Sequence, residues 1–268
     1  MENSNRNNEN NKNISIFLIN NFKYFLKMSF TKKFLITYVG CWFGFLSMVG
    51  LSKVIKSLFS FYSPQYSESA MKTVEYIATK KFEIISSSVS TNVGYNYLSA
   101  VLSYFINNSM SCIIIILACV LAAYIYKKDI ENNSSTIEDY LKALILFYII
   151  TVINPLTGVL GYNINIDYLP VVIPHGIFEF AGLALSIVIG ISIANRILPI
   201  EYMEHKKGVK DVLSRDIVLK TAVVLLLIGV AAFLEPIDWM AYQYATYYNL
   251  SIVNVLINIY LNLIKILI

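Results

Sequence analysis

Apolar runs alternate with polar connections along most of this chain, and the length of the runs sets the first expectation. Crossing a bilayer core takes about 20 apolar residues in a helix. The first such run is about Phe34 to Leu51, introduced by Lys27, Lys32 and Lys33. The second is about Leu98 to Tyr126, closed by Lys127 and Lys128. The third is about Leu141 to Gly161, interrupted by Asn154-Pro155, and the fourth runs from Pro170 to about Leu198. The fifth is about Ile217 to Glu235. A final segment, Leu250 to Ile268, mixes apolar residues with Asn254, Asn258 and Asn262 at i, i+4, i+8, one stripe of a helix. It predicts either an interfacial amphipathic helix or a sixth span with a polar seam.

Three further stretches have a different pattern. Residues 1–13 are Asn-rich and predict disorder. Ile14 to Phe30 is amphipathic, a candidate surface helix ahead of the first span. Ser52 to Asn96 is a long polar connection in which Met71, Val74, Ile77, Ala78, Phe82 and Ile85 recur at helical spacing. That spacing predicts an amphipathic helix outside the bilayer. The expected architecture is therefore all-α: a polytopic membrane bundle of five or six spans with accessory amphipathic helices. Its parts are a tail and amphipathic segment at 1–30, a membrane domain at 31–240 with the outer helical connection at 52–96, and a C-terminal helix at 241–268.

Composition supports this reading. Charged residues make up 14% of the chain and hydrophobic ones 57%, against about 25% charged in a soluble domain. The net charge of +4 is less informative than its placement. Lys23, Lys27, Lys32 and Lys33 precede the first span, Lys127, Lys128 and Lys142 follow the second, and Arg196, Lys206, Lys207, Lys210, Arg215 and Lys220 follow the fourth. Asp167, Glu235 and Asp238 stand on the opposite connections without nearby bases. The positive-inside rule then puts the N-terminus inside a cytoplasmic membrane. Lys53, Lys56, Lys72, Lys80 and Lys81 go against that pattern, but they fall in the long connection, where the rule acts weakly. No dense basic stripe suits nucleic acid. Cys41, Cys112 and Cys119 lie in apolar runs and read as small buried side chains.

The candidate chemistry is concentrated at the start of the fourth span. Pro174-His175-Gly176 is followed at i+4 by Glu179, in a run otherwise free of charge until Arg196. Ionisable groups at membrane depth are costly, about 2.5–3.5 kcal/mol each on insertion scales, so they pair, bind something or line a cavity. At 1.5 Å per residue, His175 and Glu179 lie roughly 7 and 13 Å from the outer start of their span. Glu235 lies roughly 27 Å along the fifth span, which runs the other way and reaches the same outer half. An imidazole with two carboxylates suits a divalent metal, most plausibly zinc. A purely structural reading is equally concrete: Pro174 starts the helix, Gly176 admits a neighbour, and His175 hydrogen-bonds Glu179 or Glu235. A third reading makes the carboxylates a proton or cation path. Asn107, Asn108 and Asn154 are expected either to satisfy each other between helices or to orient the carboxylates. Gly40 and Gly44 carry a GxxxG-like spacing, a weak pointer to a homodimer. His205 reads as solvated, and Tyr242, Tyr244, Tyr247 and Tyr248 as an interfacial aromatic belt.

Pro174-His175-Gly176-Ile177-Phe178-Glu179-Phe180 resembles the signature of the stage II sporulation protein M family of integral membrane proteins. Phe105-Ile106-Asn107-Asn108 and Ala231-Ala232-Phe233-Leu234-Glu235 match alongside it, so the resemblance covers about Tyr97 to Glu235. In endospore formers the family member is a polytopic scaffold for a cell-wall-degrading complex, with hydrolysis done by its partners. Relatives also occur in archaea and non-sporulating bacteria. The resemblance implies a shared functional site at His175, Glu179 and Glu235. The resulting expectation is a non-enzymatic membrane protein that scaffolds or remodels membrane through other membrane proteins. The alternatives are a transporter or channel component and a metal-dependent intramembrane hydrolase.

Overall fold

The structure, a computed structural model, describes residues 16–62, 64–154, 167, 169–199 and 214–267. Regular structure among them is helical: α1 (16–27), α2 (Phe30–Tyr62), α3 (Pro64–Val93), α4 (Tyr97–Glu131), α5 (Ile137–Ile153), α6 (Leu169–Ile197), α7 (Arg215–Tyr247) and α8 (Ile252–Leu267). Among the described residues, Phe30–Leu58, α4, α6 and α7 are each long and apolar enough to cross a membrane. The protein is a multi-pass, all-α membrane bundle. Large apolar side chains such as Phe43, Leu121 and Leu226 remain exposed on these helices, as a lipid-facing surface requires.

Two compact units can be traced, one from Met1–Gly40, Ile113–Val152 and Ala184–Thr221, the other from Cys41–Cys112, Ile153–Leu183 and Ala222–Ile268. In the first, α1 lies on protein through Ile19, Phe22, Phe25 and Leu26, all buried. Phe22 and Phe25 pack on each other and on Tyr148 of α5. A face expected to meet lipid headgroups is thus largely consumed inside the chain. Gly40 lies against Val152, whose Cγ1 would be 3.1 Å from an added Cβ. The first glycine of the GxxxG-like pair therefore serves a contact within the chain. Gly190 approaches Cys119 and Ile116 of α4 in the same way.

Helix lengths differ from the hydrophobic pattern where polar residues were read as breaks. Helix α2 does not stop at Leu51 but continues to Tyr62: Ser52 satisfies its own hydroxyl on the Val49 carbonyl at 2.8 Å, and Lys53 and Lys56 are good helix formers. The expected amphipathic helix of the long connection is α3. It is packed on α4: Lys81 donates to the Asn107 carbonyl (2.9 Å) and to Ser111 Oγ (2.8 Å), and Phe82 packs on Tyr104. The fifth apolar helix, α7, does not end at Glu235. It passes through Pro236 to Tyr247.

The turns have a common chemistry. Asn133, Asn154 and Asn249 adopt left-handed backbone angles (φ 57, 45 and 53) just past the ends of α4, α5 and α7. Asparagine is the side chain that, after glycine, most readily takes that conformation at a helix C-terminus. After α4 and α7 the chain closes with i to i−5 bonds, Ser134 N to Asp129 O and Leu250 N to Ala245 O, both 2.8 Å. α5 then starts with a reciprocal cap in which Asp139 accepts from Thr136 N and Oγ1, and Asp139 N donates to Thr136 Oγ1. These bonds hold the exposed Asp139 carboxyl below the usual carboxylate range. The turn at 248–251 folds α8 back along α7, burying Val255 and Leu256 against Ala241 and Ala245. α8 is 16 residues long, short of a typical span. Its Asn254, Asn258 and Asn262 stripe is exposed. Residues 1–13, Gly158, Gly161 and His205 lie outside the described residues.

Candidate metal centre

All the side chains of this site belong to the second unit. Helices α6 and α7 run antiparallel: Gly182 faces Ile228, and His175, nearer the start of α6, reaches Asp238, nearer the end of α7. At Gly182 a Cβ would fall 2.7 Å from Ile228 Cδ1, so a larger residue there would force Ile228 to shift. Of the four membrane-length helices α6 is the most enclosed, with 61% of its most apolar stretch buried against 28% in each of the others. His175 and Ser186 on it are both buried.

His175 is 4% exposed and its Nδ1 lies 2.8 Å from Asp238 Oδ2. Asp238 is wholly buried, and its Oδ1 accepts a hydrogen bond from the Tyr260 hydroxyl of α8. With Nδ1 engaged, Nε2 is the nitrogen left for another partner. Glu179 and Glu235, both half-buried, complete a group in which one ligand atom from each of His175, Glu179 and Glu235 lies within 4.8 Å of the others. Glu235 Oε2 is buried and has no hydrogen-bond partner. Tyr104 of α4 is close enough to feel the charge of both glutamates.

The donor set fits a divalent metal. Zinc bonds to nitrogen and oxygen run about 2.0–2.2 Å, which places tetrahedral ligands about 3.4 Å apart, so small side-chain rotations would close the group. A histidine whose second nitrogen donates to a carboxylate is the usual arrangement around bound metals, because it fixes the tautomer and the ring. An orphaned, buried carboxylate oxygen is costly unless something binds it.

The other sequence candidates lie as follows. Pro174 is inside α6, which begins at Leu169 with Pro170 in its first turn, so Pro174 does not start the helix. Like Pro236, it removes an amide donor from a helix interior, and the two prolines flank His175 and Glu235 in sequence. Gly176 admits the Trp42 ring of α2, 3.2 Å from where a Cβ would stand. Trp42 and Phe45 pack on Phe180 with centroids 4.6 and 5.4 Å apart, an aromatic wall beside the site. Asn107 donates to its neighbour Asn108, and Asn107's inter-helix bond is made by its backbone carbonyl. Asn154 is exposed at the end of α5, away from any buried amide network. The hydrogen-bond partner of His175 Nδ1 is Asp238, not Glu179 or Glu235. Asp238 is visible in the sequence as i+3 from Glu235, but only once α7 is known to continue past Pro236. Tyr260 has no signal of its own.

The chain is 39% identical over 251 residues to the uncharacterized protein MJ0096 of Methanocaldococcus jannaschii, an alignment that covers 90% of this chain and 93% of that protein. The chain belongs to that protein's family. No protein-family profile matches the chain, and no solved structure matches it. Membership thus extends over nearly the whole bundle, including α6, α7 and the site between their facing surfaces.

Proposed function

We propose that the protein is a non-enzymatic, homodimeric scaffold of the cytoplasmic membrane, related to the stage II sporulation protein M family. In this reading His175, Glu179 and Glu235 hold a zinc ion or similar divalent metal that fixes α6 to α7. The observation that carries it is the convergence of one ligand atom from each of these three residues within 4.8 Å, with Asp238 holding the imidazole through Nδ1. The bound ion would supply two positive charges, offsetting two carboxylates in an apolar bundle. The chain's own residues do the rest: Asp238 orients His175, Tyr260 anchors Asp238, and the Trp42 and Phe180 rings cover the site's flank. α2, α4, α5, α6 and α7 serve as five spans of a membrane domain at 31–240, with the N-terminus inside. Lys127, Lys128, Lys142, Arg196 and Lys220 support that orientation.

A scaffold is favoured over a cation path by the packing of α6 beyond the site. Between Gly182 and Ser192, α6 buries Ala184, Ile187, Val188 and Ile191 completely with Ser186 the one polar side chain among them, whereas a conducting route needs continuous polar lining. An intramembrane hydrolase would use the same three ligands with an open fourth position, and would need a water-reachable substrate face.

Metal analysis of the purified full chain tests the proposal. One divalent ion per chain is expected in wild type and loss of it in His175→Ala and Glu235→Ala. Wild-type protein that takes up no zinc, manganese or magnesium in stoichiometric amount would sink it. Light scattering in neutral detergent, expected to give the mass of two chains, tests the dimer.

A further inference from the structure

A second polar cavity lies in the first unit, and nothing in the proposed metal centre uses it. It has a volume of about 260 Å³ and is lined by the ends of three membrane-length helices: Phe30 and Lys33 in the first turn of α2, Ser192, Asn195 and Arg196 at the end of α6, and Asp216 and Lys220 at the start of α7. Among the described residues, three cations face one carboxylate. Lys220 pairs with Asp216 at 2.6 Å and lies 4.0 Å over the Phe30 ring. Arg196 reaches Ser214 Oγ at 3.3 Å through one guanidinium nitrogen, leaving the rest of its fork open. Lys33 is the unusual member. It is 9% exposed, its hydrogen bond is a long one to the Leu26 carbonyl at 3.5 Å, and its charge is opposed first by burial and then by the like charge of Lys220. Ser192 Oγ and Asn195 Oδ1 are buried without hydrogen-bond partners.

A buried ammonium with one long hydrogen bond, facing a second ammonium, is under-compensated. Uncommitted hydroxyl and amide groups beside it can donate to an incoming acceptor, the amide by turning its nitrogen inward. The N-termini of α2 and α7 add positive dipole ends to the same wall. Two lysines and an arginine fork match the oxygens of a phosphate better than a planar carboxylate or a halide. The cavity also lies where spans begin and end, the level of lipid headgroups, and basic pockets between spans at that level hold anionic headgroups.

We propose that Lys33, Arg196 and Lys220 form a binding site for a phosphate group, carried either by a phospholipid headgroup or by free phosphate. Ser192 and Asn195 donate to its remaining oxygens. The occupant neutralises Lys33 and ties α2, α6 and α7 together at one membrane surface.

The full chain is purified in neutral detergent and incubated with phosphatidylglycerol, with phosphatidylcholine, or with inorganic phosphate alone, and bound phosphorus per chain is measured together with the thermal midpoint. Wild type is expected to retain about one phosphorus per chain and to gain several degrees. A gain with phosphatidylglycerol that excess inorganic phosphate does not displace assigns the site to the headgroup. A gain with inorganic phosphate alone assigns it to the free anion. Lys33→Gln combined with Lys220→Gln should lower binding at least about tenfold. Ser192→Leu, which keeps all three cations but fills the cavity, should do the same and guards against a fold defect or a general charge effect. Equal binding by wild type and the Ser192→Leu variant, or no stoichiometric phosphorus in any arm, would overturn the proposal.

Discussion

The two polar clusters of this bundle are opposites in charge and in finish. In the acidic one the His175–Asp238–Tyr260 part is closed: Asp238 has a donor on each oxygen and is fully buried, while Glu235 Oε2 beside it still lacks a hydrogen-bond partner. The basic one is open: Lys33 and Arg196 carry unused donors around a cavity, and its one short contact is the i,i+4 pair of Lys220 with Asp216. A buried group whose bonds are all made resists change and is expensive to break. A group left partly unmade in a membrane protein has its partner elsewhere. The contrast separates a cluster that holds the protein's own helices from one that faces the surroundings.

The sharpest way to break the contrast is Asp238→Ala. It strands His175 and Tyr260 together, and truncating one member of a buried pair costs about 3–5 kcal/mol. A large fall in the thermal midpoint is expected, and a variant as stable as wild type would remove the claim that the acidic cluster is closed. Asp238→Asn keeps the shape, so it should fold while weakening metal retention about 10–100-fold, the usual loss when a ligand's orienting partner is changed. Tyr260→Phe deletes one bond to a charged acceptor and should cost about 1.5–3 kcal/mol, read as a smaller fall in midpoint. Lys220→Gln alone, on the open cluster, breaks a largely solvated ion pair and should cost less than about 1 kcal/mol in detergent without phosphate. A loss comparable to that of Asp238→Ala would mean that the basic cluster is as closed as the acidic one. The smallest effect is at α5. The depressed Asp139 carboxyl stabilises the helix start above its unfolded pKa of about 3.9 and loses that contribution as pH falls through its lower native value. Exchange of the amides around 139–142 should quicken only below roughly pH 4.

Much of the acidic cluster is legible in the sequence because ionisable residues are rare in apolar runs, so His175, Glu179 and Glu235 stand out and helix direction brings them to one depth. Asp238 is hidden by Pro236. A proline beside a charged residue reads as the end of a span, whereas here α7 tolerates the missing amide and carries Asp238 one turn further on the same face. Lys33, Arg196 and Lys220 are legible only as topology signals, because no periodicity tells which cations at span ends converge. The α1 face shows the same limit: amphipathicity reveals an apolar side, and only the fold shows that Tyr148 and its neighbours cover it. Loop chemistry was less readable: Asn154-Pro155 reads as an interruption inside the third apolar run, whereas α5 ends at Ile153, and the two other left-handed asparagines carry no flag at all.

The hairpin that folds α8 onto α7 also makes α8 a working part of the buried acidic cluster. Tyr260 reaches from α8 to a carboxylate that α6 and α7 otherwise hold between them. Detaching α8 would therefore leave one oxygen of the wholly buried Asp238 without its donor. The short terminal helix is tied to the site by a polar bond as well as by the apolar contacts of Val255 and Leu256.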